Sequence, residues 1–119
     1  TAPWLVFHDH DEIFGYAYAT EFRARAAYDA TRETTVYVSP RHQGRGVGRA
    51  LMTELVGRLR SEGIAVAIAG ITLPNDPSVA LHERVGFRHV GTFHRVGHKF
   101  GHWYDVGFWE LQLGTDGDE

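Results

Sequence analysis

Thr34-Thr35-Val36-Tyr37-Val38-Ser39-Pro40-Arg41-His42-Gln43-Gly44-Arg45-Gly46-Val47-Gly48-Arg49-Ala50-Leu51 runs from a β-branched stretch through three alternate glycines into a helical pattern. The β-branched and aromatic residues predict a strand over Thr34 to Ser39. Downstream, Leu51, Met52, Leu55, Val56 and Leu59 fall on one helical stripe. They predict a helix from Gly48 to about Glu62, packed on a sheet and stopped at Gly63. A glycine loop that opens a helix is an anion cradle: the first backbone N–H groups lack intrahelical partners, the helix dipole adds positive charge, and glycine lets a phosphate approach the backbone. A pyrophosphate is expected at Gly44 to Arg49.

Spacing separates the phosphate loops that share this logic. A Walker loop needs Lys-Ser or Lys-Thr at the helix start, where this chain has Arg49-Ala50. A dinucleotide fingerprint needs G-x-G-x-x-G and an acidic residue about 20 positions on, and neither is present. The pattern that fits is Q-x-x-G-x-G, carried by Gln43, Gly46 and Gly48. It resembles the coenzyme A pyrophosphate loop of the GNAT acyltransferase superfamily. A second block, Asn75-Asp76-Pro77-Ser78-Val79-Ala80-Leu81-His82-Glu83-Arg84-Val85-Gly86-Phe87, resembles that superfamily's other signature. Its residues also read physically, with Asp76 suited to an N-cap, Pro77 to a first helical turn and Gly86 to a left-handed stop.

Composition is consistent with one small domain: 119 residues, 43% apolar, with a net charge of −3. That charge provides no basic face for nucleic acid. No stretch is apolar for long enough to span a bilayer and no charged-then-apolar leader is seen, so a cytoplasmic protein is expected. The chain has no cysteine, which excludes disulfides, Cys-based metal sites and a cysteine acyl-enzyme. Eight histidines raise a metal site, with His94, His98 and His102 spaced by four. Four residues along a strand span about 13 Å, too far for ligands of one ion. No metal is therefore expected.

Other stretches complete an α/β reading. Trp4 to His8 and Ile13 to Thr20 form a hairpin, and Glu21 to Ala30 is an irregular connector. Ile64 to Ile71 is a continuous apolar run, expected to be a central strand buried on both sides. Two strands close the chain, Phe87 to Val96 and Tyr104 to Leu113. The order predicts a mixed, mostly antiparallel sheet with a parallel centre, flanked by helices, over residues 1–113. An acidic tail at 114–119 is expected to be mobile.

The resemblance narrows to a branch on Pro3-Trp4-Leu5-Val6, Ala24-Arg25 through Tyr28-Asp29, Leu73-Pro74-Asn75-Asp76-Pro77-Ser78-Val79 and His98-Lys99-x-Gly101-x-Trp103-x-Asp105-Val106-Gly107-Phe108-Trp109. These blocks look like phosphinothricin and methionine sulfoximine N-acetyltransferases, whose usual first strand and first two helices are absent here. The resemblance implies acetyl transfer from acetyl-CoA to the α-amine of a small amino-acid analogue, in a homodimer. An amine attacks only when neutral, and α-amino groups have pKa about 8, so a general base is needed. Glu33 falls at the family's catalytic carboxylate, and His82 at a position able to protonate the departing thiolate or share the base role. Coenzyme binding is expected at the Val36-Tyr37-Val38 backbone, at Gln43, Gly44, Arg45, Gly46, Val47, Gly48 and Arg49, and at Asn75 and Ser78. Family acceptor positions are Arg23, Ala24, Arg25, Tyr28, Glu33, Thr34, Thr35 and Thr72, where an arginine fork would pair with carboxylate oxygens. The absence of a cysteine and of a Ser-His-Asp pattern favours direct transfer. The Lys99 to Trp109 block is read as core and subunit contact. Two alternatives are a non-catalytic acyl-CoA-binding module and an acetyltransferase of protein N-termini or polyamines.

Overall fold

A computed structural model describes residues 4–9, 11–22 and 29–114. The β-branched run forms a strand that begins earlier than its composition suggests. The elements are β1 (Trp4–Asp9), β2 (Glu12–Glu21), β3 (Thr31–Val38), α1 (Val47–Ser61), β4 (Val66–Leu73), α2 (Asp76–Val85), β5 (Arg88–Lys99) and β6 (His102–Gln112). They build one six-stranded sheet in the order β1-β2-β3-β4-β6-β5. Only β3 and β4 run parallel; the other neighbouring pairs are antiparallel. The expected mixed sheet with a parallel centre is what forms.

The core lies between one face of this sheet and the two helices. All five stripe residues of α1 are buried, against Ala17 and Ala19 of β2 and Ala67, Ala69 and Ile71 of β4. Small strand residues let the helix approach closely, and burial of the large stripe side chains stabilises by roughly 1.5–3 kcal/mol each. Gly63 stops α1 with φ 83° and Gly86 stops α2 with φ 118°, both in the left-handed region.

Three expectations need correction. β4 is not buried on both sides: Ala67, Ala69 and Ile71 face the core, whereas Gly70 and Thr72 on the opposite face are exposed. Its apolar run alternates small residues with Ile and Val, and among the described residues helices cover one face. The cap of α2 is Asn75, whose Oδ1 accepts from the Ser78 N–H at 3.2 Å; Asp76 is the first helical residue. The Lys99 to Trp109 block is core only in part. Gly107 and Trp109 are buried, while Phe100 and Trp103 at the hairpin tip stand 88% and 54% exposed.

The three histidines spaced by four each have another neighbour. His94 Nδ1 contacts Asp105 Oδ2 at 3.1 Å, His98 stacks on Trp103, and His102 lies against Tyr104. Among the described residues no helix is long and apolar enough to cross a membrane.

Candidate active site

The parallel pair is short. β3 and β4 are joined only at Thr31↔Val66, Arg32↔Ala67 and Glu33↔Ile68, although β3 continues to Val38 and β4 to Leu73. Beyond Glu33 the two strands therefore diverge and leave a cleft between them. The glycine loop follows β3 and the Asn75 loop follows β4, so both loops stand at the mouth of the cleft. The cleft is at the carboxyl ends of parallel strands, where open α/β sheets bind ligands.

Its β3 wall offers backbone groups in alternation. The Ser39 N–H donates to the Phe14 carbonyl at 2.8 Å, on the β2 side. Direction alternates along an antiparallel ladder, so Tyr37 and Thr35 also face β2, while Val36 and Val38 turn their N–H and C=O groups into the cleft. Gln43 agrees with this direction, because its Nε2 donates to the Val38 carbonyl at 3.3 Å. The amide of Gln43 thus braces the loop to the strand end. Of the three residues expected to meet a ligand by backbone, Val36 and Val38 turn their polar groups away from β2 and Tyr37 turns them towards it.

The loop itself fits a pyrophosphate. The first intrahelical bond of α1 runs from the Ala50 N–H to the Gly46 carbonyl at 3.0 Å, which leaves earlier N–H groups without an intrahelical acceptor. Gly44 and Gly46 have φ of 78° and 82°, with nothing within 4 Å of where a Cβ would stand. A ligand can approach that backbone directly. Arg45 and Arg49 are exposed beside it, whereas the Val47 side chain is buried and only its backbone can take part. Gly48 serves packing instead. A Cβ there would lie 3.0 Å from the Leu81 side chain and 3.2 Å from Val38, so glycine allows α1 and α2 to meet at the cleft.

A brace that composition does not reveal holds this loop. His42 is buried, stacked on Phe14 with ring centroids 3.7 Å apart; its Nδ1 lies 3.1 Å from Ser39 Oγ and its Nε2 3.2 Å from Glu12 Oε2. Glu12 also pairs with Arg41 at 3.2 Å. The start of β2 thereby anchors the turn that launches the glycine loop. The only local signal is a histidine just before Gln43.

Glu33 stands at the last paired position of β3, where the cleft opens, half-buried on the sheet face away from the helices. Arg32 is not its partner, since Arg32 Nη1 donates to the carbonyls of Asp29 and Thr31. Thr35 and Thr72 lie exposed on the same face as Glu33. Thr34 points the other way: it is buried, and its Oγ1 donates to the Ile68 carbonyl at 3.4 Å. Arg23, Ala24, Arg25 and Tyr28 lie outside the described residues.

His82 is separated from Glu33, on α2. It is buried, its Nδ1–H donates to the Ser78 carbonyl at 2.8 Å, and its ring meets Phe87 edge-on. That bond leaves Nε2 as the acceptor nitrogen. Burial lowers its pKa from the usual 6.5, against a smaller opposing effect of the Ser78 bond. His82 is therefore neutral at neutral pH, and the same burial makes it a weaker base than a free imidazole. Asn75 has spent its oxygen on the cap, and its Nδ2 remains available to a ligand.

Residues 1–87 match the Acetyltransferase (GNAT) family, a span that includes the diverging strands and the glycine loop. The chain belongs to this family. Among GNAT relatives, the phosphinothricin N-acetyltransferase of Streptomyces viridochromogenes is 49% identical over 108 residues, 91% of this chain and 59% of that protein. An L-methionine sulfoximine/L-methionine sulfone acetyltransferase of Salmonella typhimurium is 40% identical over 111 residues, 93% of this chain and 65% of that one. The crystal structure of a phosphinothricin acetyltransferase from Sinorhizobium meliloti in complex with AcCoA superposes with a TM-score of 0.90 at 40% identity, covering 95% of this chain and 62% of that one. The chain thus spans less than two thirds of these GNAT proteins.

Proposed function

We propose that this chain carries the catalytic centre of an acetyl-CoA-dependent N-acetyltransferase that acts on the α-amine of a small amino-acid analogue. The observation that carries the reading is the position of Glu33 at the apex of a cleft whose mouth holds the glycine cradle. The names of the Streptomyces and Salmonella relatives support the acceptor class. The acetyl-CoA complex of the Sinorhizobium protein supports the cosubstrate.

Acetyl-CoA supplies an acetyl group activated as a thioester. The N–H groups of the α1 first turn, with Arg45 and Arg49, hold the pyrophosphate at the cleft mouth. The Val36 and Val38 backbones and Asn75 Nδ2 hold the arm that leads inward, and one of those N–H groups stabilises the carbonyl oxygen as it gains charge. Glu33 takes the proton from the acceptor ammonium, directly or through water, so that the neutral amine attacks. His82, on α2, shares the base role through its unprotonated Nε2, as a weaker base than a free imidazole. Transfer is direct, within a ternary complex: as the N–C bond forms the C–S bond breaks, and the proton lost by the attacking nitrogen ends on the departing thiolate of coenzyme A. The exposed tip residues Phe100 and Trp103 support a homodimer built through the β5–β6 hairpin.

The test is the Glu33→Gln variant, assayed by acetyl-CoA-dependent thiol release and by calorimetry of coenzyme binding. Coenzyme affinity is expected to stay, and turnover to fall by about 10²- to 10⁴-fold. Unimpaired turnover removes Glu33 from the mechanism. Coenzyme binding with no turnover of any amino-acid analogue by the unmodified chain favours a non-catalytic module.

A further inference from the structure

The helix that carries His82 meets the core through Val79, Leu81 and Val85. Apolar contacts are non-directional, so they hold α2 on the sheet without fixing its rotation. One directional tie crosses the same interface: the indole Nε1–H of Trp109 on β6 donates to Glu83 Oε2 at 3.0 Å. Among the described residues no other side-chain hydrogen bond or ion pair joins α2 to the sheet. The indole is itself held. Trp109 is buried, paired with Ala69 of β4 on one side and with His89 of β5 on the other. Its ring lies over Gly107, where a Cβ would stand 2.6 Å from Cζ3 and 2.9 Å from Cη2, so glycine there makes room for the indole. His89 lies against the same indole with ring centroids 4.7 Å apart.

Glu83 directly follows His82 in the last turn of α2, before the Gly86 stop. The N–H groups of Gly86 and Phe87 both donate to the His82 carbonyl, which fixes where the helix ends. Asn75 is at the opposite end, roughly 12 Å along the helix axis from Glu83, and is held by its own bond to Ser78. We infer that Glu83 is a positioning residue for the acetyl transfer: anchored by the Trp109 indole, it sets the rotation of the last turn of α2 and hence the place of the His82 imidazole, without itself touching either substrate. The inference rests on the acetyltransferase reading and deepens it. It separates the two ends of α2, because the chemical step depends on the tie at Glu83 and coenzyme binding at Asn75 does not.

The experiment measures kcat and the KM of acetyl-CoA, with methionine sulfoximine and phosphinothricin as acceptors, in the unmodified chain and in Glu83→Ala, Glu83→Gln and Trp109→Phe. Glu83→Ala removes the hydrogen-bond acceptor and should lower kcat on the order of tenfold with the KM of acetyl-CoA unchanged, since small misplacements at a reacting centre are costly. Glu83→Gln keeps an oxygen that can accept from the indole and should restore most of kcat. Trp109→Phe removes the donor; it should match Glu83→Ala and add little to it in the double variant, because both delete one bond. An unchanged kcat in Glu83→Ala overturns the inference and leaves the acetyltransferase reading intact. A loss of kcat accompanied by an equal rise in the KM of acetyl-CoA assigns the bond to the stability of α2 as a whole, and a Glu83→Gln as impaired as Glu83→Ala assigns the effect to charge; either overturns it. Should Trp109→Phe not fold, the two variants of the exposed Glu83 decide alone. No turnover of either acceptor by the unmodified chain overturns the acetyltransferase reading and the inference with it.

Discussion

At the scale of single residues, burial decides what His82 can do. A histidine at the end of a short helix reads from sequence as able to give or take a proton, because its ordinary pKa lies near neutrality. The structure buries it and fixes Nδ1–H on the Ser78 carbonyl, so the neutral imidazole is the resting form. The linkage to stability has a definite sign. With a folded pKa below 6.5, the unfolded chain binds more protons at mildly acidic pH, and stability falls as pH drops from about 6.5 through the folded pKa. Thermal midpoints measured between pH 5 and 8 should show the advantage of the unmodified chain over His82→Gln shrinking on acidification. A difference that is constant over this range would contradict the buried neutral state.

At the scale of elements, one side chain caps α2 and is proposed to meet the ligand. Asn75 Oδ1 holds the Ser78 N–H, and Nδ2 is the group proposed to hold the coenzyme arm. Asn75→Asp keeps the oxygen and removes the donor, whereas Asn75→Ala removes both. Urea unfolding should find Asn75→Ala less stable by about 1 kcal/mol and Asn75→Asp close to the unmodified chain. If Asn75 holds the arm, the acetyl-CoA KM rises in both; a rise confined to Asn75→Ala would assign it to capping alone. The sequence allowed Asp76 this cap, because either residue is a good one and a shift of one position is settled only by the backbone at the turn. The stripe of α1 and the glycine stops were legible, since periodicity and left-handed φ leave a direct mark on composition.

At the scale of the whole molecule, the glycine loop is held by a residue distant in sequence. Glu12 opens β2, yet it fixes His42 and Arg41 at the turn before Gly44, and Phe14 stacks on the same imidazole. His42→Ala should destabilise the chain by roughly 1–3 kcal/mol, through the lost stack and the hydrogen bonds left unmade. It should also raise the KM for acetyl-CoA while leaving the KM of the amine acceptor unchanged, which steady-state kinetics with each substrate varied in turn would measure. Equal effects on both constants would mean that the loop is not held separately from the rest of the sheet. Sequence by itself determined the elements, their order, the glycine loop at the helix start and the family resemblance, because propensity, periodicity and glycine conformation are local properties. Tertiary structure alone decided that β3 and β4 part after Glu33, that Thr34 turns to the core and Thr35 away from it, and that β4 is covered on one face. Those facts depend on strand register and on what packs against each face, and both arise only when segments far apart in the chain meet.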